Sequence, residues 1–243
     1  MQLNIFSTAD EVLTALAAYF VEVANEAITA RGKFTVSLSG GSSPKKLYQL
    51  LASSAFKDQV NWEKVYFFFG DERYVPHTDP ESNYLMAQKA MFDDLEIDRL
   101  NIFPVDTTLS PDEAAQKYWE EIEQFFDDEE LAFDLVLLGL GDDAHTASLF
   151  PHTAVLNDTI PSVKANYLQD KQVYRITMNA PLINEARHIA FLVYGESKAE
   201  AVRHIMEDEE DIDNYPAQLI DSITGDVQWF LDEAAAADLE ERL

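Results

Sequence analysis

The chain has 243 residues, 47% of them hydrophobic and 12% aromatic, which suits one packed domain over residues 1–243 rather than a disordered polymer. It has no cysteine, which excludes disulfides, thiolate nucleophiles and Cys-based metal sites. With 17 basic against 45 acidic residues, the net charge of −28 disfavours nucleic acid and anionic lipid as partners. Any anionic substrate must then be held by a few basic side chains working against the overall field.

Apolar runs alternate with amphipathic stretches along the chain. The pattern predicts strands at Leu3–Phe6, Phe34–Leu38, Val65–Phe69, Ile102–Val105, Leu135–Leu138, Val173–Met178, Ile189–Val193 and Val227–Leu231. Helices are predicted at Ala9–Thr29, Pro44–Leu51, Ser82–Phe92, Pro111–Phe126 and Ser197–Met206. The acidic stretches 127–130 and 207–213 read as solvated loops or helix ends. Runs such as Val65-Tyr66-Phe67-Phe68-Phe69 suit strands covered on both faces, so the expected class is α/β, with a mostly parallel, Rossmann-like sheet flanked by helices. The start of the chain lacks the pattern of a signal peptide, and no stretch reads as the 18–20 apolar residues of a membrane span. A soluble, cytoplasmic protein is expected, with no membrane partner.

Ligands in such sheets sit beyond the carboxyl ends of the strands. The first of these ends is Ser39-Gly40-Gly41-Ser42-Ser43-Pro44, where glycines allow close backbone approach, Ser42 or Ser43 can cap the following helix, and free N–H groups can bind an anion. It is neither a Walker loop nor a dinucleotide fingerprint, and an ordinary tight turn would look the same. The next, Gly70-Asp71-Glu72-Arg73, puts three ionisable residues directly after a buried strand. Arg73 can grip a phosphate or carboxyl oxygen and Asp71 can accept sugar hydroxyls, or the two can pair internally.

Gly139-Leu140-Gly141-Asp142-Asp143-Ala144-His145 gathers close backbone approach, two carboxylates and a histidine in one loop. His145 is the natural general base, oriented by Asp142 or Asp143. His77, His152, His188 and His204 have no such setting and read as structural or surface residues. Lys198, in Gly195-Glu196-Ser197-Lys198, opposes a helix dipole unless an anion binds there, and Arg175 is a further basic candidate that a surface ion pair would explain equally well. A serine-hydrolase elbow is missing, and nothing in the pattern requires a metal or another cofactor.

These motifs resemble the 6-phosphogluconolactonase family. The resemblance rests on residues 39–44, residues 69–76 with Ser82-Asn83-Tyr84, residues 139–151, Arg175-Ile176-Thr177, residues 195–199, Tyr215-Pro216-Ala217 and residues 229–235, in the family's order. It implies a fold similar to that of glucosamine-6-phosphate deaminases and ribose-5-phosphate isomerases, and hydrolysis of 6-phospho-D-glucono-1,5-lactone without a cofactor. It also implies roles: His145 as base, Arg73 and Lys198 holding the phosphate or the developing anion, and Asp71 with Gly40, Gly41 and Ser42 binding hydroxyls and phosphate. The family usually has glycine where this chain has Ala144. The related deaminases place a glutamate a few residues after the histidine, where this chain has Ser148-Leu149-Phe150. A sugar-phosphate sensor without catalysis is the remaining alternative. The sequence leaves open whether the protein is a monomer or a small homo-oligomer.

Overall fold

A computed structural model describes residues 1–127, 129–223 and 226–240. Position 128 of the acidic stretch 127–130 therefore lies outside the described residues. In chain order the elements are β1 (Gln2–Phe6), α1 (Ala9–Arg31), β2 (Phe34–Leu38), α2 (Ser42–Leu51), β3 (Val65–Phe69), β4 (Asp71–Arg73), α3 (Asn83–Ala87) and α4 (Pro111–Phe125). They continue with β5 (Leu135–Leu138), β6 (Val163–Leu168), β7 (Val173–Met178), α5 (Ala180–Asn184), β8 (Ile189–Val193), α6 (Ala199–Glu207) and β9 (Val227–Asp232).

Six strands form one sheet in the order β1-β9-β8-β5-β2-β3, with every pairing parallel. Its apolar runs divide between two cores because successive side chains point to opposite faces. Val136, Leu138, Ile189, Phe191, Trp229 and Leu231 pack with α4, α5 and α6 on one face. Leu135, Leu137, Ala190, Leu192, Phe230 and all of Phe34, Val36 and Leu38 pack with α1 and α2 on the other. This double burial is why the strands read as continuous apolar runs.

α1 is capped at both ends, by the box of Thr8 and Glu11 and by the left-handed Gly32 (φ 77°). By length and composition alone it could cross a membrane, contrary to the sequence reading that no stretch qualifies. Its apolar side chains Val12, Leu16, Phe20 and Ala24 are instead buried in the second core.

Three expectations need correction. Residues 102–105 form no strand: Ile102 makes a single parallel bridge to Phe67, and Pro104, which has no N–H to donate, follows within two residues. No strand is predicted at the ionisable residues Asp71–Arg73. They form β4, antiparallel to β7, which pairs in turn with β6 in a three-stranded sheet. The stretch 82–92 is not one α-helix, because α3 passes into a π-helical turn at Gln88–Phe92.

Candidate active site

The small sheet stands over the carboxyl ends of the large one, and a cavity of about 360 Å3 lies between the strand-end loops. It is lined by Ser39–Pro44, Asp71, Arg73, Gly139–Gly141, His145–Ser148, Phe150, Lys171, Arg175, Leu192–Tyr194 and Lys198. The structure thus brings every sequence-designated ligand residue (Gly40, Gly41, Ser42, Asp71, Arg73, His145, Arg175 and Lys198) to one cavity wall.

At the end of β2 the serines do not cap the helix as expected. Gly41 occupies the cap position at φ 107°, and no side chain bonds the first turn of α2. The first N–H groups of this ten-residue helix are left for a ligand, the arrangement that favours an anion. Gly40 is required for a different reason: a Cβ there would fall 2.1 Å from Asn83 Oδ1. The Tyr48 hydroxyl fixes the turn by donating to the Ser39 carbonyl (2.7 Å) and accepting from its N–H (2.9 Å).

In β4, Glu72 is the internal organiser. Its carboxylate accepts from the backbone N–H groups of Arg73 (2.7 Å), Asn83 (2.7 Å) and Tyr84 (2.9 Å) and from the Ser82 hydroxyl (3.1 Å). Burial pushes its pKa up, against the pull of those N–H groups. Neither the proposed Asp71–Arg73 pair nor a surface ion pair at Arg175 forms among the described residues. Asp71 accepts from the Ser148 hydroxyl (2.7 Å) and from Asn83 Nδ2 (3.3 Å). The Arg73 guanidinium donates to the Glu81 carbonyl (3.0 Å), and Arg175 donates to the carbonyl of Tyr174 (3.2 Å). Cross-strand pairing sets Arg73 opposite Arg175. Burial, and then the neighbouring Arg73 charge, lowers the Arg175 pKa. Two guanidinium groups without carboxylate partners therefore share one wall, an arrangement that an anionic ligand relieves.

The loop after β5 holds the acid–base pair. Gly141 N–H donates to the His145 carbonyl (2.8 Å) and Ala144 N–H to the Gly141 carbonyl (3.1 Å), which folds the loop back on itself. Ala144 is buried at φ 59° and Ala147 lies at φ 47°, both in the left-handed region that costs alanine energy. The residue that departs from the resembled family's glycine is thus strained, as its position suggested. The Thr146 hydroxyl ties the loop to the Gly139 carbonyl (2.8 Å).

The two aspartates divide the work that the sequence left open. Asp143 hydrogen-bonds His145 Nδ1, whereas Asp142 takes Lys198 Nζ (2.5 Å) and the Ser197 hydroxyl (3.3 Å). Partial burial works to raise the Asp143 carboxyl, but the hydrogen bond and charge of His145 outweigh it and hold its pKa at about 2. The Lys198 ammonium likewise lowers Asp142. Lys198 ends a 3-10 turn at Glu196–Lys198 and precedes α6, so Asp142 offsets its unfavourable position at a helix start. The imidazole stacks on Phe150 with centroids 4.0 Å apart and 20° between planes. With Nδ1 committed to Asp143, Nε2 is the nitrogen free to take a proton.

Sequence reasoning did not single out Ser148, Phe150 and Lys171 as parts of this wall, nor Asn83 as a donor to Asp71. Asn83, Ser148 and Phe150 lie inside the quoted motifs, which is the signal that could have found them. Lys171 sits on the turn between β6 and β7 and gave no local signal. The remaining histidines stay outside the cavity: His77 bonds the Val105 carbonyl (2.7 Å), His188 bonds Asp226, His204 bonds Asp208, and His152 stands in a turn. Among the described residues no cluster of three or more His, Asp or Glu is arranged to hold a metal.

The family described as glucosamine-6-phosphate isomerases/6-phosphogluconolactonase matches residues 7–229. A 6-phosphogluconolactonase of Synechocystis sp. is 45% identical over 220 residues, 88% of each chain. The structure of a 6-phosphogluconolactonase from Trypanosoma cruzi superposes with a TM-score of 0.85 at 28% identity, over 99% of this chain and 97% of that one. A monomeric glucosamine-6-phosphate deaminase shares the fold, with a TM-score of 0.80 at 20% identity over 98% of this chain and all of the other.

Proposed function

Because this chain belongs to the glucosamine-6-phosphate isomerases/6-phosphogluconolactonase family, we propose that its cavity is the active site of a lactone hydrolase in which His145 activates water. The reaction is hydrolysis of 6-phospho-D-glucono-1,5-lactone to 6-phospho-D-gluconate, the second step of the oxidative pentose phosphate pathway. The observation that supports the assignment of roles is that His145, held at Nδ1 by Asp143, lines one cavity with Arg73, Arg175, Lys198 and the uncapped start of α2.

Asp143 holds the Nδ1–H tautomer, so Nε2 carries the lone pair. Nε2 takes a proton from water as the water oxygen attacks the lactone carbonyl carbon. The carbonyl oxygen becomes an oxyanion, stabilised by the guanidinium group of Arg73, while Arg175 opposite it binds the substrate. Collapse of the tetrahedral intermediate breaks the bond to the ring oxygen, which leaves with the proton returned by the imidazolium. Lys198 and the N–H groups of α2 supply further anion contacts, and Asp71 accepts sugar hydroxyls. Catalytic work thus falls to His145, Asp143 and Arg73, and substrate binding to Gly40, Gly41, Ser42, Asp71, Arg73, Arg175 and Lys198.

Deaminase chemistry would need an acid a few residues after the histidine. This chain has buried Ser148 there, bonded to Asp71, and then Leu149 and Phe150. In this reading the enzyme works in the cytoplasm as one domain, a monomer or small homo-oligomer. It needs no cofactor, and its acidic charge argues against nucleic acid or membrane as a partner. The test is the rate of loss of freshly prepared 6-phosphogluconolactone beside the turnover of glucosamine 6-phosphate. Acceleration of the first and none of the second is expected, and lactone loss at the spontaneous rate would sink the assignment.

A further inference from the structure

Of the two lysines that line the cavity, Lys198 is bound to Asp142, but Lys171 has no carboxylate within ion-pair distance among the described residues. Lys171 is exposed and stands on the four-residue turn that joins Leu168 to Val173. Its N–H donates to the Leu168 carbonyl (3.2 Å), and the next residue, Gln172, is left-handed at φ 52°. The backbone of this turn is thereby fixed, while the side chain reaches inward. Its ammonium lies 4.6 Å from the centre of the Phe150 ring, the same ring on which His145 stacks.

An exposed cation–π contact is a weak resting place, and a charge-assisted hydrogen bond to a phosphate oxygen is stronger. We propose that Lys171 is a specificity-determining residue: it leaves the Phe150 ring for the phosphate of the bound lactone and makes the enzyme prefer phosphorylated over unphosphorylated sugar lactones. This rests on the lactonase reading above and adds a residue to it. The exchange has two consequences. The ammonium is near the reacting centre when the cavity is empty, and it moves onto the ligand only when a phosphate is present to draw it. A neutral lactone has nothing to offer it, so its turnover is insensitive to this side chain.

The test compares Lys171→Ala, Lys171→Gln and Lys171→Arg with the wild-type chain on 6-phosphoglucono-1,5-lactone and on glucono-1,5-lactone, with melting curves as the control for folding. The Ala and Gln variants are expected to lower kcat/KM for the phosphorylated lactone about tenfold, mainly through KM, the worth of one charge-assisted hydrogen bond net of the contact it replaces. Turnover of the unphosphorylated lactone should stay within about twofold of wild type, and Lys171→Arg should retain most of the preference. An equal loss on both lactones would overturn the proposal, since Lys171 would then act on His145 through Phe150. Unchanged selectivity in the Ala and Gln variants would overturn it too. A wild-type chain inactive on the phosphorylated lactone would instead overturn the lactonase reading itself.

Discussion

Gly141→Ala is a one-carbon perturbation of the catalytic loop whose consequence can be worked from the structure. A Cβ at this position would lie 2.0 Å from His145 Nδ1, 2.3 Å from His145 Cε1 and 2.5 Å from Asp143 Oδ1. All three are far inside van der Waals contact, so the imidazole must move by about an ångström or more and its aspartate must shift with it. Gly141 has no positive φ, so the alanine backbone itself is unstrained and the effect falls on the side chains. A displacement of about 1 Å at a catalytic group costs on the order of 10²-fold in rate. The assay is kcat on fresh 6-phosphogluconolactone, corrected for spontaneous hydrolysis, with thermal melting as a check that the fold survives. A folded variant within about twofold of wild-type kcat would refute the reasoning, because the packing of Gly141 against the Asp143–His145 pair would then be irrelevant to catalysis.

Asp143→Asn removes the carboxylate that fixes the His145 tautomer, and kcat is expected to fall about 10²–10⁴-fold, read in the same assay. The folded-state pKa of Asp143 is depressed to about 2, so ionised Asp143 stabilises the native state above its ordinary value near 3.9 and loses that contribution as pH falls toward about 2. The Asn variant should therefore lose less stability than wild type over that acid range, as followed by denaturant unfolding at a series of pH values. Ala144→Gly would relieve about 1–2 kcal/mol of left-handed strain, lose about 0.8 kcal/mol of buried methyl and add about 0.4–1 kcal/mol of unfolded-chain entropy. Its stability should thus lie within about 1 kcal/mol of wild type by denaturant titration. A gain above about 2 kcal/mol would contradict the balance.

Much of this architecture is legible in the sequence, for identifiable reasons. β2, β3, β5 and β8 are continuous apolar runs because the sheet is covered on both faces, and each was placed to within a residue. β4 was hidden because Asp71-Glu72-Arg73 lacks any apolar residue. Its stability comes from β7 and from the four donors to Glu72, neither of which local sequence reveals. β6 was hidden because buried Asn166 and exposed Tyr167 break the expected alternation. Asn166 is buried to donate to the Ser148 carbonyl (2.9 Å), a contact made across 18 residues of chain. In the site, the strand-end residues converge as their positions after parallel strands implied. The division of Asp142 and Asp143 between two cations could not be read, since it depends on where Lys198 arrives from β8. Lys171 was invisible for the same reason, because it reaches the cavity only through the unforeseen β6–β7 hairpin.

The central claim, that His145 is the base that activates water, is tested most directly by the kcat of His145→Asn on freshly prepared 6-phosphogluconolactone. A general base contributes typically 10²–10⁴-fold, and the variant should lose about that much while its melting temperature and its affinity for 6-phosphogluconate stay close to wild type. Turnover at the wild-type rate in the folded variant would remove His145 from the mechanism.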